Sequence, residues 1–338
     1  MILSIYLHNL SNESFILLNQ LGVSYVDLYQ RVLPGYQKEL HRGLQEFEFN
    51  KDEIVKVIKR VRENGLRVNS FFAPPIRKAL FGEPEGEKQI DNVCKFIKLM
   101  SENSIYLVDL GLQDVRQGPI GVPGRYVKEH RGGYKMDAFS VDLMLEELEK
   151  RNMNAPWAHN FKEKLSFEDY FKNCVRTLNA ILPIAEEVNV KLMSHFEDPP
   201  IDDKRLLPGF TNPLQIRMLF EKINSKNFGI SFCCGTRYES GIDVFQQIRM
   251  FGEKIFFVHL RNVRGTITTT KGYEEVAIDD GDMNMLKVLK TLKEVKYEGA
   301  VNPDHLPLFL GDNNNETNKV GLAYTVGYIK ALLHHLKD

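Results

Sequence analysis

Short β-rich runs alternate with longer amphipathic stretches along this 338-residue chain. Eight runs are predicted to be strands, and they are residues 2–8, 23–29, 66–72, 104–111, 190–196, 228–234, 254–262 and 299–305. Helical periodicity follows most of them, for example in residues 167–188 and 283–295. Several runs are continuously apolar, residues 255–258 most clearly. A strand of that kind is buried on both faces, as in a parallel sheet covered by helices.

Strand–helix units repeated eight times in about 340 residues are what a (β/α)8 or TIM barrel of the α/β class requires. We therefore predict one TIM-barrel domain over residues 1–338. A doubly wound open sheet is the alternative fold. It is disfavoured because no glycine-rich phosphate-binding turn follows the first strand.

Charge and cysteine usage exclude several classes of protein. The net charge of −1 gives no support to a nucleic-acid or membrane-surface role. The four cysteines form no CxxC pair, and there is neither an 18-residue apolar run nor a secretory signal. We expect a cytoplasmic protein with free thiols, without a nucleic-acid or membrane partner.

The main departure from regular strand–helix alternation is the segment after the fourth strand, residues 112–166. It begins with several glycines and prolines and carries a basic group, namely Arg116, Arg125, Lys128, Arg131 and Lys135. A long loop at this end of a barrel strand is often functional, so one interpretation is an insertion that forms a lid over the C-terminal face. The other is a solvated excursion with a helix of its own at residues 141–151.

Metal-binding residue types occur at the ends of the last four predicted strands, where a parallel barrel builds its active site. These residues are His195, Cys233, Cys234, His259, Asp304 and His305. Each residue alone would more often be an ordinary buried or polar side chain, but the joint pattern indicates one divalent-metal site. Imidazole and thiolate favour a transition metal over Mg or Ca. Neighbouring strand residues point to opposite faces, so the choice between the two cysteines stays open here.

At these positions the chain resembles the mannonate dehydratase family. Residues 184–200 contain IAEEV and HFEDPP, similar to the family's PVAEEVG and HPDDPP patterns. The strand GISFCCG at 229–235 resembles its GxxxCxG strand, and FVHLRNV at 257–263 resembles its HxRN strand. Glu275 and the Gly-Asp pair at 281–282 fall in its E…GD loop, and PDH at 303–305 resembles its PDHG terminus.

The resemblance implies a metal-dependent hydro-lyase that converts D-mannonate to 2-keto-3-deoxy-D-gluconate with Mn²⁺ or Fe²⁺. It selects Cys233 over Cys234, and the implied metal ligands are His195, Cys233, His259 and Asp304. The implied catalytic residues are His305, Asp304 and Arg261. We expect His305 to carry one of the two proton transfers, with its partner unassigned. The residues predicted to bind the sugar-acid substrate are Arg261, Asn262, Glu275, Arg125 and His8.

The chain departs from the family pattern mainly in its substrate half. Leu306 stands where the family has glycine after PDH, and Ile278 replaces the histidine of its HxxGD motif. Residues 73–78 lack the histidine and glutamate of PxHExIK, and residues 109–117 have no counterpart of NFMPVxDWTRTD. A tyrosine expected near residues 316–321 is absent there, although Tyr324 follows. A related hydroxy-acid or sugar substrate, or a lost activity, is therefore an open alternative.

Two other functions compete with the dehydratase. One is a sugar isomerase or epimerase of the xylose-isomerase-like barrel class, although such sites normally collect Glu and Asp rather than imidazole and thiolate. The other is a non-catalytic barrel that binds a metabolite. A homo-oligomer is compatible with the fold, but no interface pattern stands out in the sequence.

Overall fold

The computed structural model describes residues 1–34, 48–112, 123–150, 165–203, 206, 208–312 and 319–337. The strands within these ranges are β1 (Ile2–Leu7), β2 (Tyr25–Leu28), β3 (Arg67–Phe72), β4 (Leu107–Asp109), β5 (Arg125–Glu129), β6 (Lys135–Ser140), β7 (Lys191–Ser194), β8 (Phe228–Cys233), β9 (Ile255–His259), β10 (Asn262–Arg264), β11 (Gly272–Val276) and β12 (Ala300–Asn302).

Eight of these strands close into a parallel barrel in the order β1-β12-β9-β8-β7-β4-β3-β2. The eight predicted strands and the (β/α)8 fold are therefore confirmed. Every predicted run was longer than the barrel strand it contains, most of all the fourth, the seventh and the eighth. The fourth strand covers only Leu107–Asp109, and the run predicted at 254–262 ends at His259, after which Asn262 begins a different sheet.

Helices surround the barrel. The α-helices of the described residues are Asn12–Gln20, Lys51–Glu63, Arg77–Leu80, Gly86–Glu102, Val141–Lys150, Phe167–Glu187, Pro213–Ile223, Cys234–Glu239, Val244–Phe251, Ile267–Thr270, Met285–Glu294 and Lys319–His335. Lys51–Glu63 shows why they form: it buries Ile54, Val57, Ile58 and Val61, which share one face of a helix. None of the described helices is long and apolar enough to span a membrane.

The barrel interior is a packed core below the site. Tyr6, Met193, Phe257 and Ala300 pack against one another inside the barrel. A larger apolar cluster fills the space between the strands and the surrounding helices. The C-terminal ends of the strands therefore lie above a layer of packed side chains, as is usual in barrels of this type.

A second, four-stranded antiparallel sheet in the order β10-β11-β6-β5 was not predicted. β5 and β6 come from the insertion, whereas β10 and β11 come from the segment after β9. Tyr273 pairs with Phe139 in this sheet, and Asn262 pairs with Val276. The helix predicted at 141–151 is present as Val141–Lys150. The insertion residue Arg116 lies outside the described residues.

Candidate metal centre and active site

Four metal-binding side chains meet at the C-terminal ends of four neighbouring barrel strands. His195 follows β7, Cys233 ends β8, His259 ends β9 and Asp304 lies just after β12. The register pairs Cys233 with His259, and His259 with Asn302. One ligand atom from each of the four residues lies within 4.8 Å of the other three. The structure therefore brings the four predicted ligands together, while Cys234 lies in the apolar core.

The two imidazoles are held in orientations that suit a metal ion. Nδ1 of His195 lies 2.8 Å from the carbonyl oxygen of Phe196, so Nδ1–H donates there and leaves Nε2 as a ligand. Nε2 of His259 lies 2.8 Å from the hydroxyl of Tyr6. Nδ1 of His259 is buried without a hydrogen-bond partner among the described residues, 3.4 Å from a carboxylate oxygen of Asp304. A divalent cation between these atoms would satisfy that nitrogen, so the residues fit a metal.

The buried surroundings of Cys233 favour its thiolate form. Burial raises the pKa of its thiol, but Arg261 and His195 outweigh burial and hold that pKa well below the ordinary value. The backbone N–H of Thr236 also donates to the sulfur, at 3.4 Å. Burial lowers the pKa of His195, yet the hydrogen bond and charge of Cys233 raise it to about 9. This thiolate–imidazolium pair holds a proton that a bound metal would displace.

The backbone around Asp304 is fixed by polar contacts that reach into the barrel. Asp304 has a left-handed φ of 61°, and its N–H donates to Oδ1 of Asn302 at 2.8 Å. Asn302 in turn donates to Asp27 at 2.8 Å, and Asp27 accepts from Ser70 at 2.7 Å. Burial opposes ionisation of Asp304, but the imidazoles and the guanidinium around it hold its pKa well below the usual range.

Arg261 is enclosed by protein carboxylates. Its side chain is 1% exposed, and its terminal nitrogens lie 2.6 Å from Glu239 and 2.7 Å from Asp198. Its Nε lies 3.3 Å from Oδ2 of Asp304. Among the described residues it is not part of the pocket wall. Contact between Arg261 and the substrate stays a prediction. The observed contacts of Arg261 hold Asp304 and Asp198 in place.

Asp198 joins the second sheet to the barrel, and the sequence analysis did not assign it a role. Its Oδ1 accepts from Arg125 at 2.7 Å and from the Tyr273 hydroxyl at 3.1 Å. Its Oδ2 accepts from Thr236 at 3.0 Å and from Arg261 at 2.7 Å. Burial opposes its ionisation, but the two guanidinium groups hold the pKa of Asp198 well below the usual range. In the sequence, Asp198 could have been found from its position shortly after β7, which it shares with His195.

His305 forms a close pair with Glu275. Nδ1 of His305 lies 2.5 Å from Oε2 of Glu275, which leaves Nε2 of His305 free of that contact. Glu275 is buried, whereas the His305 side chain is 39% exposed. Burial lowers the pKa of His305, but the charges of Asp304 and Glu275 raise it to about 10. A proton-carrying imidazole is thus presented at the edge of the metal cluster.

A pocket of about 370 Å³ opens beside the cluster. Its walls come from β1, the turn after β2, the insertion, β11 and the segment after β12; the lining residues are Tyr6, His8, Tyr29, Arg31, Val127, Lys135, Met136, Asp137, Glu275, Asp304, His305, Leu306 and Leu308. The insertion therefore contributes to this wall through Val127 and residues 135–137. Whether it moves as a lid stays a prediction.

Only some of the predicted substrate-binding residues line the described pocket. His8 and Glu275 line the pocket. Arg125 lies beside it, paired with Asp198. Asn262 is buried, and its side-chain amide bonds the backbone of Ile278, Val263 and Met283, so it holds a loop together.

Three of the departures from the family pattern also have a structural position. Ile278 is part of the apolar core, and Leu306 faces the pocket. Tyr324 lies in the last helix and packs on Phe309, with ring centroids 5.3 Å apart. Tyr6 and Arg31 line the pocket although the sequence analysis did not single them out. For Tyr6 the signal was its strand position, two residues before His8.

Comparison with known proteins identifies several similar chains. Residues 143–338 match the family model described as D-mannonate dehydratase (UxuA). The mannonate dehydratase of Thermotoga petrophila is 30% identical, over 83% of this chain and 86% of the relative. That of Oceanobacillus iheyensis is 26% identical, over 81% of this chain and 80% of the relative.

Solved structures show the same fold. The mannonate dehydratase of Streptococcus suis serotype 2 superposes with a TM-score of 0.80 at 22% identity, covering 98% of this chain and 93% of the other. An L-ribulose 3-epimerase superposes with a TM-score of 0.59 at 12% identity, covering 100% and 96%. At these identities the likeness concerns the fold alone.

Proposed function

The chain belongs to the D-mannonate dehydratase family, whose members are hydro-lyases, and from this premise we propose that it dehydrates a sugar acid, with D-mannonate converted to 2-keto-3-deoxy-D-gluconate. The observation that carries the proposal is the gathering of His195, Cys233, His259 and Asp304 beside a pocket that His305 lines. The pocket volume is within the range of small-molecule sites.

We propose that these four residues hold one Mn²⁺ or Fe²⁺ ion. Two imidazoles, a thiolate and a carboxylate form a mixed donor set that suits a transition metal. The hydrogen bond from Nδ1 of His195 and the contact of Tyr6 with His259 orient both rings, as outer contacts of metal ligands commonly do. When bound, the ion would supply electrostatic stabilisation for the negative charge that develops on the substrate carboxylate.

The reaction requires two proton transfers. The C2–H bond breaks and its proton goes to a base, the C2=C3 double bond forms, and the C3–O bond breaks. The departing hydroxyl takes a proton and leaves as water, and the resulting enol tautomerises to the 2-keto acid. His305 is proposed to protonate the departing hydroxyl, because Glu275 fixes its Nδ1 while the ring faces the pocket. Glu275 then acts through His305 rather than on the substrate.

The proposal is tested by following 2-keto-3-deoxy product from D-mannonate and a small panel of other aldonates. Protein stripped of metal is expected to be inactive, and adding Mn²⁺ or Fe²⁺ is expected to restore turnover. A His195→Ala protein is expected to lose at least a hundredfold in kcat/KM, since one ligand is missing. His334→Ala, on the last helix, is a suitable control. Normal turnover of an aldonate by metal-free protein would show that this mechanism is wrong.

A further inference from the structure

Arg31 lines the pocket, and within the described part of the chain its contacts are with His8 and Tyr29 and not with the four metal-binding residues. It sits in the turn Gln30–Val32, and its guanidinium stacks 4.6 Å from the ring centre of Tyr29. Tyr29 packs on Tyr6 with ring centroids 4.3 Å apart, and the Tyr6 hydroxyl contacts His259. Along this path, the rings of Tyr29 and Tyr6 lie between Arg31 and the ligand His259. A molecule that touches both the ligands and Arg31 must extend along the pocket.

The charge of Arg31 is not neutralised by any described residue. Its polar contact among the described residues is with a neutral partner: NH1 donates to Nδ1 of His8 at 3.2 Å. Burial of the imidazole lowers the pKa of His8, and the nearby Arg31 cation lowers it further, to about 4. By contrast, Arg125 and Arg261 are both bound to Asp198. Of the three, only Arg31 has a guanidinium without a carboxylate within 4 Å in the described part of the chain.

The other charged groups of the pocket do not compete for Arg31. Glu275 is bound to His305, and Lys135 lies 3.1 Å from Glu129. The charges that act on Asp137 are mainly those of Glu275 and His305, which belong to the end of the pocket near the cluster. Among the described residues, Arg31 therefore presents an open cation in the pocket wall, on the turn after β2.

We propose that Arg31 binds an anionic group at the substrate end remote from the metal, so that the preferred substrate is a sugar acid with a second acidic group on its terminal carbon. A guanidinium held flat against Tyr29 can bind a carboxylate or a phosphate in two-point geometry. This inference rests on the proposed function, because it assumes that the first carboxylate is bound at the cluster.

The test compares three substrates of one configuration: D-mannonate, the 1,6-diacid D-mannarate and 6-phospho-D-mannonate, each with Mn²⁺ present. The wild-type protein is expected to give a kcat/KM for the diacid or the phosphate that exceeds that for D-mannonate by on the order of ten- to a hundredfold. Which of the two is preferred identifies the anion. In Arg31→Gln this preference is expected to vanish, mainly through a higher KM.

Arg67→Gln is the matched control, because Arg67 is also exposed and also stacks on a tyrosine, but at the N-terminal end of its strand. It is expected to keep the wild-type ratio. The inference is overturned if wild-type protein favours D-mannonate, or if Arg31→Gln retains the preference, and in both cases the proposed dehydration stands. If none of the three substrates is dehydrated, the proposed function fails and the inference fails with it.

Discussion

Two carboxylates, Asp304 and Glu275, favour the protonated form of His305, and Glu275 is the one that also holds its Nδ1. Glu275 is buried among Arg125, Arg261 and His305, and its contact with Nδ1 of His305 is the shortest of the three. The carboxylate thus orients the imidazole and favours its charged form. A similar division of labour, in which a buried acid positions a histidine, occurs in many enzymes that transfer protons.

Replacing Glu275 by Gln is expected to lower kcat roughly tenfold to a hundredfold, with a smaller change in KM. The sign of the pH effect follows from the charge: Glu275 raises the pKa of His305, so its loss lowers that pKa. The alkaline limb of the kcat profile is therefore expected to move to lower pH.

Glu274→Gln provides the control for that experiment, since the neighbouring residue points away and pairs with Lys128 and Arg264. A wild-type pH profile is expected for this variant. If Glu275→Gln also keeps the wild-type profile and kcat, then Glu275 does not act through His305.

At the scale of elements, the second sheet builds one wall of the pocket and attaches it to the barrel. β6 supplies residues 135–137 of the lining, and β11 supplies Glu275. Arg125 on β5 bonds Asp198 at 2.7 Å, which ties this sheet to the segment after β7. The position of the pocket wall therefore depends on correct pairing of β6 with β11.

Gly272 is required for that pairing. A Cβ at this position would lie 2.2 Å from the carbonyl oxygen of Phe139 on β6, and a backbone atom cannot move aside cheaply. Gly272→Ala is expected to lower the free energy of unfolding by about 2 kcal/mol and to raise KM, because the pocket wall shifts. Urea unfolding and steady-state kinetics measure the two effects.

Gly327→Ala is the matched glycine variant, with nothing within 4 Å of its added Cβ in the last helix. It is expected to raise the free energy of unfolding by about 0.5–1 kcal/mol, because alanine favours helix. Equal stability changes of the same sign in both variants would contradict the role given to Gly272.

At the scale of the whole molecule, the barrel could be predicted from sequence because its strands are buried on both faces and appear as apolar runs. The cluster of four candidate metal-binding residues could be predicted because each stands at or just after the end of such a run, as His259 does at the end of β9. The second sheet could not be predicted, since β10 has only three residues and its partners lie far away in sequence.

The contacts between individual side chains also could not be predicted from the sequence. Arg261 is predicted to contact the substrate, and that prediction gave no indication that Glu239 and Asp198 also bind this side chain. Nothing in the spacing of these residues indicates that they meet. Arg31 lies outside every motif quoted for the family, and its link to the cluster through the stacking of Tyr29 on Tyr6 is not visible in the sequence.

Absorption spectroscopy with Co²⁺ tests directly whether Cys233 is one of four ligands to a single divalent ion. A thiolate bound to Co²⁺ gives a near-ultraviolet charge-transfer band, so titration of metal-free protein is expected to produce this band with saturation at one equivalent. Cys233→Ser is expected to lose the band, whereas Cys234→Ser, altered in the adjacent core thiol, is expected to keep it. A band that survives in Cys233→Ser, or that disappears only in Cys234→Ser, would contradict the proposed site.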